Sequence, residues 1–199
     1  MKLRSLENVG DIRGKKVLLR LDLNVPVKDG IVSDDFRIRK SMPTIQRLVD
    51  AGAKIIVISH CEGKESGTLR PAYEYLKKIL PVTFLESYVD ENTLSAVNAL
   101  ASGEMLLLEN LRQYPGEKEN AAEFAESLAS LADIYVNEAF SASHREHASI
   151  VGVPALLPSY AGLLFEHEVK ELSKVFNPPH PFLFILGGAK FDTKMPLIK

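Results

Sequence analysis

The sequence predicts an α/β fold of three layers, a parallel sheet with helices on both faces. Three observations predict it. Runs rich in Val, Ile and Leu recur without the polar alternation of a half-exposed sheet, as strands buried on both sides must. Segments of helical periodicity lie between them, and strand alternating with helix is the order of a parallel sheet. The runs end in polar clusters, Arg20-Leu21-Asp22-Leu23-Asn24, Ser59-His60, Glu109-Asn110-Leu111-Arg112 and Asn137-Glu138. In open parallel sheets ligands bind at the carboxyl ends of the strands, and recurring arginines there point to one anionic ligand gripped from several strands.

Taken in order, Lys16 to Leu21 is the first buried strand, followed by a loop with Pro26, Asp29-Gly30 and Ser33-Asp34-Asp35. Ile38, Met42, Ile45, Leu48 and Val49 recur at helical spacing, and Ala51-Gly52 closes that helix. Ala53 to Ser59 is the next strand, then a helix from about Pro71 to Leu80 and a short strand from Val82 to Leu85. A helix near Asn92 to Ala101, a strand from Glu104 to Leu108, a helix from about Lys118 to Leu131 and a strand from Asp133 to Val136 complete the series. The tail differs. A long helix is predicted from near Ser159 through Val175-Phe176, ended by the prolines of Asn177-Pro178-Pro179-His180-Pro181. Phe182 to Leu186 then reads as another buried strand, without companion strands to pair with, so it should pack on the first domain or expose an apolar edge that promotes self-association.

Composition narrows the function. A chain of 199 residues, 46% apolar and 25% charged, is long enough for one core or for one domain plus part of another. Its formal charge of −2 provides no bulk basic field, so no nucleic-acid partner is expected and any anion site is local. The single cysteine, Cys61, excludes an intrachain disulfide and a multi-cysteine metal cluster, and suits a reducing compartment. No apolar run approaches the roughly 20 residues that span a bilayer, and the first residues lack the apolar stretch of a signal peptide. A cytoplasmic protein with no membrane partner is expected.

The clusters carry the chemistry. Arg20, Asp22 and Asn24 alternate with Leu21, Leu23 and Val25, which places the three polar groups on one side of the strand exit. They either bind one polar ligand, or Asp22 pairs with Arg20 or caps the next turn. Arg37 either reaches the same space from a helix start or is a solvated first-turn arginine, and His60 is either a donor to an oxyanion or a structural residue. Lys64 and Arg70 add positive charge near Glu62. Arg112 leaves a strand, and the acidic residues after it are expected to cap the following helix. The densest cluster, Asn137 to Ser149, holds His144, Arg145 and His147. It favours anion binding over a metal site, because Arg145 repels a cation and no second compact ligand set exists. A serine nucleophile is not supported, since Gly-x-Ser-x-Gly is absent.

These motifs carry a resemblance. Arg20-Leu-Asp22-Leu-Asn24-Val25-Pro26, Asp35-Phe-Arg37-Ile38, Ser59-His60, Leu108-Glu109-Asn110-Leu111-Arg112, Tyr135-Val136-Asn137-Glu138-Ala139-Phe140, His144-Arg145-x-His147-Ala148-Ser149 and Ile185-Leu186-Gly187-Gly188-Ala189-Lys190 occur in an order that resembles the phosphoglycerate kinase family, and the match looks like its amino-terminal half. The resemblance implies a Rossmann-like domain over 1–158 that binds 3-phosphoglycerate, an interdomain helix and linker over 159–180, and the start of a nucleotide-binding domain over 181–199. It implies phosphoryl transfer between 1,3-bisphosphoglycerate and ADP with Mg2+, giving 3-phosphoglycerate and ATP, in a monomeric full-length enzyme. By motif, Arg20, Asp22, Asn24, Arg37, His60, Lys64, Arg112 and Arg145 would bind substrate. His60, Arg112 and Arg145 would surround its non-transferred phosphate. Arg37 would also be catalytic, stabilising the transferring group, and Lys190 and Lys194 would be catalytic and would meet the nucleotide phosphates.

The chain departs from the pattern in two places. Cys61-Glu62-Gly63-Lys64 stands where the family usually has Leu-Gly-Arg-Pro, so an expected arginine is replaced by Lys64 and an acid is added; Pro196 falls at the start of a family helix. Neither Gly-x-x-x-x-Gly-Lys-Ser/Thr nor Gly-x-Gly-x-x-Gly occurs. Two other classes use the same features: a non-catalytic anion-binding regulatory domain, and a dinucleotide-dependent enzyme, which the absent glycine fingerprint disfavours.

Overall fold

The computed structural model describes residues 3–62, 67–183 and 185. The chain divides into two compact units, Met1–Glu168 and Val169–Lys199. In the first, β1 (Lys16–Arg20) leads to a hairpin of β2 (Val27–Lys28) and β3 (Ile31–Val32). Asp29 and Gly30 turn it with φ of 51° and 74°, the paired positive angles that an Asp-Gly hairpin turn requires. This segment, read from the sequence as a loop, is therefore a two-stranded ribbon. The chain continues through α1 (Phe36–Asp50), β4 (Lys54–Ile58), α2 (Arg70–Leu76), β5 (Val82–Leu85), α3 (Glu91–Ala99) and β6 (Met105–Leu108). Then come α4 (Pro115–Lys118), α5 (Ala122–Ala129), β7 (Ile134–Asn137), α6 (Val153–Leu156), β8 (Ser159–Ala161) and α7 (Leu163–Ser173).

Six strands form one sheet in the order β5-β6-β4-β1-β7-β8, and every pairing is parallel. The three-layer α/β expectation holds. Alternate strand residues feed opposite cores. Val17, Leu19, Ile55 and Val57 pack with Ile45 and Leu48 of α1 and Ala72 and Leu76 of α2. Leu18, Ile56, Leu106 and Tyr135 pack with Val97 of α3, Phe124 and Leu128 of α5 and Val153 of α6. Each fully buried Leu or Ile contributes on the order of 2 kcal/mol, and this two-sided burial is why the strands read as unbroken apolar runs. β1 lies centrally, its helix α1 leading to β4 on one side while the chain leaving β6 crosses to β7 on the other. The strand order reverses there, the position at which such sheets open a crevice.

Three boundaries differ from the sequence reading. The helix expected over 118–131 is split into α4 and α5, because Asn120 takes the left-handed conformation at φ 51°. The long helix expected from Ser159 starts at Leu163, and Ser159–Ala161 is instead an edge strand paired with β7. Of the strand expected over 182–186, Phe182, Leu183 and Ile185 are described; none lies in a strand, and they are 44%, 80% and 82% exposed. No helix among the described residues is long and apolar enough to cross a membrane.

The junction from β8 to α7 depends on one glycine. A Cβ on Gly162 would meet Glu138 Oε2 and Thr44 Cγ2, so the site has no room for a side chain. Glu138 and Thr44 occupy that space because they hold the start of α7: Leu163 N–H donates to Thr44 Oγ1 at 2.9 Å and Leu164 N–H to Glu138 Oε1 at 3.2 Å. We expect Gly162→Ala to lower stability by about 1–3 kcal/mol through overpacking, read as a lower urea midpoint. In a Glu138→Ala background the same change should cost much less, and an equal cost in both backgrounds would contradict the contact.

Candidate functional site

Register brings the polar clusters together. Arg20 of β1 pairs with Ile58 of β4 and Asn137 of β7, so the residues that follow each strand, Asp22, Ser59-His60 and Glu138, emerge side by side. Leu23 N–H donates to Ser59 Oγ at 2.9 Å and Ser59 Oγ donates to the Leu21 carbonyl at 2.7 Å. Ser59 thus ties the exit of β1 to the exit of β4.

Arg20 has no exposed surface. Its Nε donates to Ser149 Oγ at 3.0 Å, one Nη meets the Leu21 carbonyl, and the other meets His60 Nδ1 at 2.9 Å. Ser149 in turn gives its hydroxyl and its N–H to buried Glu117, at 2.6 and 2.9 Å. Of the acidic residues expected to cap the helix after Arg112, Glu117 does lie in the first turn of α4, but without a side-chain cap bond there, and its carboxylate anchors this buried chain. Burial lowers the Arg20 pKa, while Glu117 raises it.

Because arginine has no acceptor, His60 Nδ1 must accept from Arg20, which leaves the proton on Nε2. Burial, followed by the charges of Arg20 and Arg112, pushes the His60 pKa down to about 3. The sequence resemblance placed His60 in a basic patch; here it is a neutral donor whose tautomer Arg20 sets.

On the cleft side, Asp22 gathers three groups. Arg37 Nη1 donates to its Oδ2 at 2.6 Å, Ser141 Oγ donates to the same oxygen, and Asn24 N–H donates to Oδ1 at 3.1 Å. Opposite stands a second ion cluster: Glu62 Oε1 lies 2.7 Å from Arg145 Nη1 and 3.7 Å from Arg112 Nη1. Burial, then the neighbouring Arg145, lowers the Arg112 pKa. Its Nε and Nη2 are buried without a hydrogen-bond partner among the described residues. Buried guanidinium donors are rarely left unmatched, so these two mark Arg112 as incompletely satisfied by the described residues.

Cavities border this arrangement. One of about 130 Å³ is lined by Asp22, Asn24, Arg37, His60, Ser141 and Arg145. A second, of about 410 Å³, lies between Arg37, Asn24 and Glu62, and a third, of about 550 Å³, opens from Arg37 and Asp22 toward Lys40 and Glu138. The small cavity carries the convergent polar groups. Arg37 lines all three. With its side chain 48% exposed, it is the predicted site arginine most open to solvent.

The loop after His60 is held from β6. Asn110 Oδ1 accepts from Cys61 N–H at 3.2 Å and Arg112 N–H at 3.0 Å, and Glu109 accepts from Leu69 N–H at 2.7 Å and Thr68 Oγ1 at 2.5 Å. The motif Glu109-Asn110-x-Arg112 is therefore a bracket that fixes the loop while presenting Arg112. Of the site residues read from the sequence, Asp22, Asn24, Arg37, His60 and Arg145 share one cavity. Arg112 stands beside them through Glu62, and Arg20 supports them from behind. Lys64, Lys190 and Lys194 lie outside the described residues. Ser141, Ser149 and Thr44 were not singled out, although the first two fall within the Asn137 to Ser149 cluster. Among the described residues no three His, Cys, Asp or Glu are grouped to hold a metal ion.

Fold and cleft define a class, Rossmann-like α/β domains that present arginines at the carboxyl ends of their strands. The family model for phosphoglycerate kinase matches residues 6–199. The chain belongs to the phosphoglycerate kinase family. A phosphoglycerate kinase of Wolbachia sp. subsp. Drosophila simulans is 48% identical over 100% of this chain and 51% of its own length, and one of Fervidobacterium nodosum is 45% identical over 94% and 49%. The crystal structure of phosphoglycerate kinase from Pyrococcus horikoshii OT3 superposes with a TM-score of 0.89 at 31% identity, covering 98% of this chain and 51% of that one. The Coxiella burnetii phosphoglycerate kinase structure gives 0.86 at 35%, covering 99% and 51%. The chain spans about half the length of the curated relatives it matches.

Proposed function

We propose that this chain is the acceptor-binding wall of a phosphoglycerate kinase, an enzyme that moves a phosphoryl group between the carboxyl of 1,3-bisphosphoglycerate and ADP. The observation that carries the reading is the small cavity on which Asp22, Asn24, Arg37, Arg145 and the neutral His60 converge, with Arg112 beside it through Glu62 and incompletely satisfied among the described residues. Arg112, Arg145 and the Nε2–H of His60 receive the non-transferred phosphate, with Arg20 orienting the imidazole. Arginine suits this task because its planar fork can hold two phosphate oxygens at once. Asp22 and Asn24 orient the hydroxyl and carboxyl end of the glycerate. Arg37, on the cavity rim, offsets charge on the transferring group. A carboxylate acceptor needs no general base, so positioning and electrostatic stabilisation suffice.

By resemblance, residues 1–158 form the glycerate domain, 159–180 the interdomain helix and linker, and 181–199 the start of the nucleotide domain, where Lys190 and Lys194 meet nucleotide phosphates. Magnesium enters bound to the nucleotide and supplies charge neutralisation there. The described residues offer it no ligand set, and none is assigned to it. A cytoplasmic, monomeric full-length enzyme fits the same reading.

Calorimetric titration tests it. The chain should bind 3-phosphoglycerate more tightly than inorganic phosphate, should not bind ADP measurably, and should make no appreciable ATP from 1,3-bisphosphoglycerate and ADP. Arg145→Ala removes a charge-assisted contact of roughly 1.5–3 kcal/mol and should weaken 3-phosphoglycerate at least tenfold. Unchanged affinity in Arg145→Ala, or robust turnover by the chain alone, would defeat the proposal.

A further inference from the structure

Two arginines of the cleft already face an anion, and it is part of the chain. Glu62 Oε1 is 2.7 Å from Arg145 Nη1 and 3.7 Å from Arg112 Nη1. A carboxylate so placed occupies Coulombic space that an incoming anion needs, and like charges in a shared site oppose one another. Three features make it a competitor. Its backbone N–H is pinned to Asn24 Oδ1 at 3.0 Å, so the side chain is tethered at the mouth and returns whenever the site empties. The side chain is 49% exposed, so it can swing into water without a desolvation cost. The guanidinium it faces keeps two buried donors, Arg112 Nε and Nη2, without a partner among the described residues, so Glu62 satisfies the arginines only in part.

Charge sets the consequence. Arg37 is neutralised by Asp22, and Arg20 is sealed in the interior near Glu117. Arg112 and Arg145 then face the cleft with Glu62 as their one carboxylate partner among the described residues. With Glu62 in place the pair of arginines carries about one net positive charge, and with Glu62 displaced about two. The hydrogen bond from Arg145, followed by burial acting in the opposite sense, leaves the Glu62 carboxyl below its ordinary range, in keeping with an ion pair formed in the empty site.

We propose that Glu62 is a tethered surrogate anion that fills the Arg112–Arg145 subsite when no ligand is bound and must be displaced by the phosphate group of the substrate. The proposal deepens the reading above, from which it takes the role of the subsite. It makes Glu62 a residue that sets affinity: the resting site is shielded against weak monoanions, and a dianion wins because it offers both arginines more charge than one carboxylate does.

The experiment is calorimetry of the 199-residue chain with inorganic phosphate at low ionic strength, comparing wild type, Glu62→Gln and Glu62→Asp. Partly exposed ion pairs are worth up to about fivefold in an equilibrium constant, so Glu62→Gln should bind phosphate about fivefold more tightly. Glu62→Asp, still charged but shorter, should lie between. In the wild type, 13C NMR of the Glu62 carboxyl should show its pKa moving up toward the ordinary glutamate range when phosphate saturates the site. Unchanged or weaker phosphate binding by Glu62→Gln, or a Glu62 pKa that ignores phosphate, would overturn the proposal. A parallel titration with 3-phosphoglycerate separates the two readings. If it binds no better than phosphate in every variant, the glycerate assignment fails, while the phosphate series still decides the role of Glu62.

Discussion

Arg20→Met is expected to destabilise the first unit by about 3–5 kcal/mol, the range seen when one partner of a buried charge arrangement is removed. The reason lies in what Arg20 leaves behind. Glu117 and Ser149 are fully buried, and Ser149 links Glu117 to Arg20 Nε. His60 Nδ1 and the Leu21 carbonyl also lose their donor. Methionine restores apolar volume, worth on the order of 2 kcal/mol, but it cannot donate. The uncompensated carboxylate therefore outweighs the gain in apolar burial. At roughly 2–4 °C per kcal/mol for a chain of this size, the melting temperature should fall by about 10 °C. Coupling makes the test specific. If Glu117 is the group left unpaired, the double change Arg20→Met with Glu117→Gln should cost clearly less than the two single changes added together. A drop of under 2 °C for Arg20→Met, or strict additivity in the double variant, would contradict the network. Ligand binding should suffer as well, because His60 without Arg20 is free to exchange tautomers and no longer holds Nε2–H toward the cleft.

That Arg20 is interior could not be read from the sequence. Period-2 spacing correctly placed Arg20, Asp22 and Asn24 at one strand exit, yet it carries no information on what covers them. Ser149 and Glu117, which seal Arg20, lie 129 and 97 positions away. The strands were legible because both faces of the sheet are covered, so local composition alone reported them. β8 was not: Ser159-Tyr160-Ala161 is short and polar at its start. It is a strand through distant partners, Tyr135 N–H donating to the Pro158 carbonyl and Ala161 N–H to the Arg4 carbonyl. The helix over 118–131 was misread for a different reason. A single left-handed Asn120 breaks it, and periodicity averaged over a window cannot register one dihedral. In the cleft, residue types and order were legible, since Asp22, Asn24, Arg37, His60 and Arg145 do line one cavity. Their charge states were not, because the neutrality of His60 follows from burial beside two arginines.

Glu138 should make folding stability fall as pH rises toward neutrality. It is 2% exposed, and burial raises its pKa to about 7, against the opposing hydrogen bonds from Thr44, Leu164 and Phe165. The start of α7 favours the carboxylate by about 1 kcal/mol or less, which is too little to offset desolvation of a buried charge. In the unfolded chain the same group titrates near its model value of 4.5. Below that value both states hold the proton. Between about 4.5 and 7 only the folded state holds it, so each rise in pH favours unfolding, and above 7 the loss is complete. At about 1.4 kcal/mol for each pH unit of that gap, the loss amounts to roughly 3 kcal/mol. Substitution isolates the effect of this one carboxyl from every other group. Glu138→Gln is the right probe. Its amide oxygen can replace Oε1, which takes the bonds from Thr44 and Leu164, and only the 3.4 Å contact from Phe165 to Oε2 is lost. The variant should match wild type near pH 5 and exceed it by about 1–3 kcal/mol at pH 8, measured by urea unfolding across that range. Parallel pH profiles for the two proteins would show that Glu138 is ionised throughout, and that the cap on α7 is an ordinary carboxylate rather than a protonated acid.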